Sequence, residues 1–186
     1  MLMPVYGMLL IFNTGMHFSF LPFQAKQSII IVTFISTAIL PLTLLPLLYQ
    51  FKLIKSFRME STRERFIPIL ITAFFYYTGY LLLKKMGVPP MLNKFIFSSF
   101  ITVLFAAIVS YFWKISIHTI GIGGVTGVIS ALSFLYGTDL LMLQIFLLTV
   151  SALTASARLY LGQHNPKQVY IGYVCGFLIV FCFVIF

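Results

Sequence analysis

Charged residues, and acids above all, are scarce in this sequence. Only 8% of its 186 residues are charged, and just three are acidic: Glu60, Glu64 and Asp139. A soluble domain of this length needs far more charge to cover its surface. The scarcity of charge therefore excludes a soluble globular domain.

Cysteine is also rare. The two cysteines, Cys175 and Cys182, lie in the same apolar segment. Their spacing fits neither a disulfide framework nor a metal site, so we interpret both as packing residues.

The positive charge has a restricted distribution. The formal net charge is +9, but only 12 residues are basic, and they fall in loops and at the ends of apolar runs. This placement predicts contact with the phosphate-bearing headgroups of membrane lipids and no contact with nucleic acid.

Long apolar runs dominate what remains. Residues of the apolar types make up 61% of the chain, and runs long enough to cross a bilayer recur along its whole length. They lack the alternation of a lipid-facing barrel strand. The sequence therefore predicts an all-α, polytopic membrane bundle that forms one domain over residues 1–186. About seven (six to seven) transmembrane helices are expected, at roughly 3–22, 27–50, 66–84, 93–113, 118–137, 139–160 and 168–186.

A glycine-rich stretch lies in the fifth predicted helix. The segment GIGGVTG places Gly123 and Gly127 four residues apart. No Lys-Ser/Thr pair follows and no strand precedes it, so a phosphate-binding loop is disfavoured. The spacing predicts close approach of two helices.

Polar residues concentrate in three segments that helix alternation places on one side of the bundle: residues 58–65, 113–121 and 156–170. Ionisable groups near a membrane are costly, so their convergence predicts a functional site. Two of the three histidines, His118 and His164, are included, together with Arg158. Two imidazoles and several cations can process a phosphate. One ring attacks phosphorus, the other protonates the leaving group, and the cations hold the oxygens.

These residues resemble the motifs of a known superfamily. Arg158-x5-His164 is similar to the third motif, Ser-Arg-x5-His-x3-Asp, of the type 2 phosphatidic acid phosphatase and vanadium haloperoxidase superfamily. Ser116 and His118 resemble its second motif, Pro-Ser-Gly-His. Arg58-x6-Arg65 resembles its first, Lys-x6-Arg-Pro. The similarity covers roughly residues 55–180 and is closest to a bacterial membrane subgroup.

The resemblance implies a metal-independent, cofactor-free lipid phosphatase in the bacterial inner membrane, acting on a lipid with a phosphate headgroup. By position, His164 is the expected nucleophile and His118 the expected acid. Arg58, Arg65, Arg158 and Ser116 are expected near phosphate. Lys114 has no counterpart in the motifs, and we add it as a further candidate cation.

The sequence departs from the third motif at two positions. Ala157 replaces its serine, and Gln168 replaces the aspartate that orients the nucleophile. An amide oxygen can still accept a hydrogen bond from the imidazole but brings no charge. In the serine-protease triad such an exchange costs roughly 10⁴-fold in rate. Glu60 or Glu64 are the acids able to substitute, although local pairing with Arg58 and Arg65 is their expected role.

This departure leaves an alternative open. The chain is then a catalytically inactive relative that binds lipid phosphate or serves as a subunit of a membrane complex. The membrane face of the site also stays open, because the basic residues outside the candidate site divide equally between the two faces.

Overall fold

The computed structural model describes residues 2–14, 18–51 and 62–186, except for the side chains of residues 62–64. Over these ranges the protein is helical and contains no strand, as predicted. We number the helices in chain order: α1 Met3–Asn13, α2 Phe23–Gln50, α3 Thr62–Lys85, α4 Pro90–Phe112, α5 Ile117–Tyr136, α6 Leu141–Tyr160 and α7 Pro166–Ile185. Helix α2 includes a π-helical turn, Ile35–Ile39.

Helices α2 to α7 are long and apolar enough to cross a membrane. This confirms the predicted polytopic bundle and makes the chain a multi-pass membrane protein. Successive spans run in opposite directions, so the start of α3, the α4–α5 connection and the α6–α7 connection lie at one end of the bundle. We call this the site end.

The prediction of a first span over 3–22 is wrong. Helix α1 has 11 residues, about half the length that a bilayer requires. Its last carbonyls accept bonds from side chains, Asn13 Nδ2 to Leu9 O and Thr14 Oγ1 to Ile11 O. Pro22 then precedes the first turn of α2. Short polar side chains at Asn13 and Thr14 compete for the carbonyls of the helix and favour its end.

Helices α5 and α7 form the tightest contact of the bundle. A Cβ added at Gly127 would lie 2.6 Å from the carbonyl oxygen of Phe177, and one added at Gly123 would meet the carbonyl oxygen of Tyr173. On the opposing helix, Gly176 meets the backbone of Ile120 in the same way. The prediction that Gly123 and Gly127 mediate close helix approach is confirmed.

Helix α5 is the centre of the bundle. Two-thirds of its most apolar window is buried, against 11% for α6, which lies at the periphery. Helices α1, α4, α6 and α7 all contact α5. The first turn of α5 is therefore held from several sides, and His118 lies in that turn.

Candidate functional site

Four basic side chains from different parts of the chain line one cavity at the site end. Arg65 lies in the first turns of α3, His118 in the first turn of α5, Arg158 in the last turn of α6, and His164 in the α6–α7 loop. The cavity has a volume of about 610 Å³, within the usual range for small-molecule sites. Residues separated by up to 99 positions in the sequence thus share a single chamber.

The α6–α7 loop is short and internally braced. Gly162 adopts a φ of 62°, a left-handed conformation that ends the preceding helix at little cost for glycine. Arg158 Nη1 donates to Gln163 Oε1 at 3.1 Å. Gln163 also lines the cavity. Gln163 was not predicted as a site residue, since no spacing rule singles out an amide that orients an arginine across a turn.

A capping box begins α7. Asn165 is the N-cap, Pro166 occupies the first helical position, and the side chain of Gln168 accepts a bond from the Asn165 N–H at 3.1 Å. In the reciprocal contact the Asn165 side chain accepts from the Gln168 N–H. Glutamine is a usual residue at this third position. The signal Asn-Pro-x-Gln was present in the sequence and gives Gln168 a structural role that its motif position alone does not indicate.

Gln168 also determines the proton position on His164. Its bond from the Asn165 N–H identifies Oε1 as the amide oxygen. His164 Nδ1 lies 3.2 Å from this oxygen and 3.2 Å from the carbonyl oxygen of Lys114. Both neighbours are acceptors, so Nδ1 is the nitrogen that carries hydrogen. Nε2 therefore keeps its lone pair in the neutral ring.

The protein favours the neutral form of His164. Burial lowers its pKa, and the charges of Arg65 and Lys114 act in the same direction. The bonds to Gln168 and to the Lys114 carbonyl oppose this effect but do not cancel it. The balance leaves an imidazole with an available lone pair at neutral pH.

The site is strongly cationic. The charges of Arg158 and Arg65 both act at the ring of His118, which lines the same cavity. Asp139 is the one acid whose side chain the structure describes, and it caps the start of α6 at the opposite end, with its Oδ1 3.0 Å from the Leu141 N. The described part of the cavity wall therefore attracts an anion.

The side chains of the other predicted site residues are not part of the described cavity wall, apart from that of Gln168, which contacts His164. Lys114 is half-buried beside His164, which its carbonyl contacts, but its side chain does not line the cavity. Ser116 is fully buried outside the cavity wall, and its Oγ has no hydrogen-bond partner in the described chain. Its burial argues against the contact with phosphate that the motif implies. Arg58, Glu60 and the side chain of Glu64 lie outside the described residues.

The described side chains form no cluster of three or more His, Cys, Asp or Glu that could hold a metal ion. Comparison with protein-family models, with curated proteins and with solved structures finds no match. The chemistry of the site must accordingly be argued from its own geometry.

Proposed function

We propose that this protein is an integral-membrane lipid phosphatase that hydrolyses a phosphomonoester or pyrophosphate through a phosphohistidine. The observation that carries the proposal is the state of His164. Its Nδ1 is engaged by two acceptors, and the ring lines the same cavity as His118, Arg65 and Arg158. The resemblance of the motifs supports the same chemistry and a location in the bacterial inner membrane.

In the first step, His164 Nε2 attacks phosphorus and forms a P–N bond while the bond from phosphorus to the leaving oxygen breaks. The negative charge of the bound phosphate favours the protonated form of His118. His118 then donates its proton to that oxygen, and the product leaves as an alcohol or a lipid phosphate. Gln168 and the Lys114 carbonyl hold the Nδ1–H of the imidazolium that results.

In the second step, water attacks the phosphohistidine. His118, now neutral, takes a proton from the water, the P–N bond breaks, and inorganic phosphate leaves while His164 regains its lone pair. Arg65 and Arg158 stabilise the equatorial oxygens in both steps. Gln163 fixes one guanidinium group, since Arg158 Nη1 donates to it.

A second function has a specific observation in its favour. The side-chain oxygen of Gln168 is shared by the capping box and the imidazole, and it supplies no negative charge to stabilise imidazolium. A protein that binds lipid phosphate without turning it over needs only the cationic cavity. This inactive relative is the competing proposal.

Phosphate release from a lipid panel tests the two proposals. The full chain, purified in lipid nanodiscs with EDTA present, is given phosphatidate, lysophosphatidate and a prenyl diphosphate. We expect release of inorganic phosphate and inhibition by vanadate, which mimics the transition state. His164→Ala should lower the rate by on the order of 10³-fold or more, as for other covalent nucleophiles.

Lys167→Ala is the matched control. Lys167 is an exposed cation three residues from the nucleophile and does not line the cavity. We expect this variant to keep its activity. Binding of the lipids without any release of phosphate by the unaltered protein would favour the inactive relative instead.

A further inference from the structure

The cavity that begins at the two histidines continues into the interior of the bundle. On α4 its wall is one helical stripe: Phe95, Ser99, Thr102, Val103 and Ala106. Their spacings of three and four residues place them on a single face. Opposite, Gly121, Gly124 and Val125 of α5 complete the wall. At the two glycines the space that a Cβ would take is filled by the side chains of Met3 and Val180, which also line the cavity.

The inner part of the cavity offers no free polar groups on the α4 wall. Ser99 Oγ donates to the Phe95 carbonyl at 2.9 Å, and Thr102 Oγ1 donates to the Ser98 carbonyl at 2.7 Å. Both hydroxyl groups are thereby satisfied within their own helix. The chamber is cationic at its mouth, and its α4 wall is apolar within, a division that matches an amphiphile with an anionic head. Tyr76 of α3, which is buried, also lines the chamber.

The depth of the chamber matches one hydrocarbon chain. At about 1.5 Å per residue, Phe95 lies about 16 Å along α4 from Ala106. Half of a hydrocarbon core of about 30 Å is nearly the same length. Phe95 and Val180, which are 1% exposed each, close the inner end. The Phe95 ring packs directly against Gly7 of α1, because it occupies the space that a Cβ on Gly7 would take.

We propose that the substrate is the phosphate or diphosphate of a single long hydrocarbon chain, and that this chain occupies the inner chamber. The inference rests on the proposed function for its phosphate chemistry. Lipid tails are as apolar as the chamber wall, so moving a chain from bilayer to chamber gains little energy. The chamber therefore selects the number and length of chains and adds little to affinity.

Photolabelling tests the location of the chain independently of turnover. The probe is a lysophosphatidate with a diazirine at the end of its chain, bound to the His164→Ala variant in nanodiscs. We expect labels on Phe95, Ser99 or Val180. Labels on the outward-facing Ile108 or Phe134 would place the tail in the bilayer and overturn the proposal. Labels inside the chamber without phosphate release by the unaltered protein would overturn the proposed function alone.

A filled chamber tests chain selection. Val103→Phe adds bulk to the cavity wall, three residues from Ala106 and eight from Phe95. Ile108→Phe adds the same ring to the lipid-facing side of α4, where Ile108 is 53% exposed. We expect Val103→Phe to slow turnover of long-chain lysophosphatidate at least tenfold while sparing short chains. Ile108→Phe should change neither. A uniform effect of Val103→Phe at all lengths, or none, contradicts the proposal.

The lipid panel distinguishes the chemical sources of the chain. Lysophosphatidate and a prenyl diphosphate each carry one chain, and phosphatidate carries two. We expect phosphatidate to react at least tenfold more slowly than the better single-chain lipid, and which of the two is better identifies the chain type. Equal rates for one-chain and two-chain lipids would overturn the proposal. If Val103→Phe does not fold, Phe95→Leu provides a second test. It puts a smaller side chain at the inner end of the chamber, and longer chains should then be accepted.

Discussion

The side-chain oxygen of Gln168 lies 3.2 Å from Nδ1 of His164, and the same oxygen accepts a bond from the backbone of Asn165. One amide therefore links the candidate nucleophile to the first turn of α7. The imidazole cannot be reoriented without disturbing the start of that helix. The protonation state of His164 therefore depends on the start of α7 as well as on the groups that line the cavity.

The first prediction concerns pH. Burial lowers the pKa of His164 in the folded protein, whereas the unfolded chain has a histidine pKa of about 6.5. At neutral pH the ring is unprotonated and can attack. We expect kcat/KM to fall on the acid side with a midpoint below about pH 6.5.

The same shift affects stability. The unfolded chain binds this proton more readily than the folded protein, so the contribution of His164 destabilises the fold as pH drops below about 6.5. Thermal unfolding of the His164→Ala variant should show a weaker acid dependence than that of the unaltered protein. An acid midpoint of kcat/KM above the usual histidine range would contradict the lowered pKa.

The second prediction uses Gln168→Glu. Glutamate preserves the capping box, because capping boxes have either glutamate or glutamine at the third helical position. Its carboxylate adds a negative charge beside Nδ1 and favours the imidazolium. We expect the acid limb of kcat/KM to move up by about one pH unit and the rate of phosphohistidine formation to rise. Pre-steady-state release of the alcohol measures that step.

A change of the helix cap alone is the control for that variant. Asn165→Ala removes the reciprocal cap and should cost about 1 kcal/mol of stability. It leaves the oxygen of Gln168 in place, so the pH profile should keep its midpoint. If Asn165→Ala and Gln168→Glu shifted the profile equally, the effect would come from the helix end and not from charge at the imidazole.

Much of the architecture could be predicted from the sequence because apolar length determines membrane spans. The runs that became α2 to α7 were predicted to within a few residues, and Gly123 and Gly127 were correctly interpreted as a helix contact. The first span was wrong because the apolar neighbours outweigh Asn13 and Thr14 in a hydropathy average, whereas these two short polar side chains favour a helix end at this point.

The site was predictable only in part. Motif resemblance selected Arg65, His118, Arg158 and His164, which do line one cavity. Ser116 was also selected, yet it is buried away from that cavity. A motif gives the order of residues but does not determine which way each side chain points at the start of a helix. The inner chamber could not be predicted, because it depends on how a stripe of α4 faces α5 across the space beside α1.

The third prediction concerns the contact between α5 and α7. Gly127→Ala and Gly121→Ala make the same change in the same helix and bring the same gain in helix propensity, about 1 kcal/mol. At Gly127 the new Cβ would meet the backbone of Phe177, which cannot yield, whereas at Gly121 it would meet the side chain of Met3. We expect Gly127→Ala to destabilise by about 1–3 kcal/mol.

Thermal unfolding in one detergent, followed for both variants in parallel, measures the difference. Gly121→Ala should be less destabilising than Gly127→Ala, since rotation of the Met3 side chain moves its Cγ away and only the 3.3 Å contact with its Cβ remains. Equal stability of the two variants would show that the backbones of α5 and α7 separate easily, and the close helix contact would not be what holds the first turn of α5 in place.

The fourth prediction separates the two histidines by their roles. His118 lines the cavity within the field of Arg158 and Arg65 but does not attack phosphorus in the proposed mechanism. His118→Gln should lower turnover of an alkyl lipid phosphate by about 10²–10⁴-fold, the usual contribution of a general acid. An aryl phosphate with the same chain leaves as a phenolate and needs no proton, so its first step should be nearly unchanged. The burst of phenolate in rapid mixing measures that step. His164→Ala should abolish both the phenolate burst and the turnover of the alkyl substrate. An equal loss on the two substrates in His118→Gln would remove His118 from the role of acid.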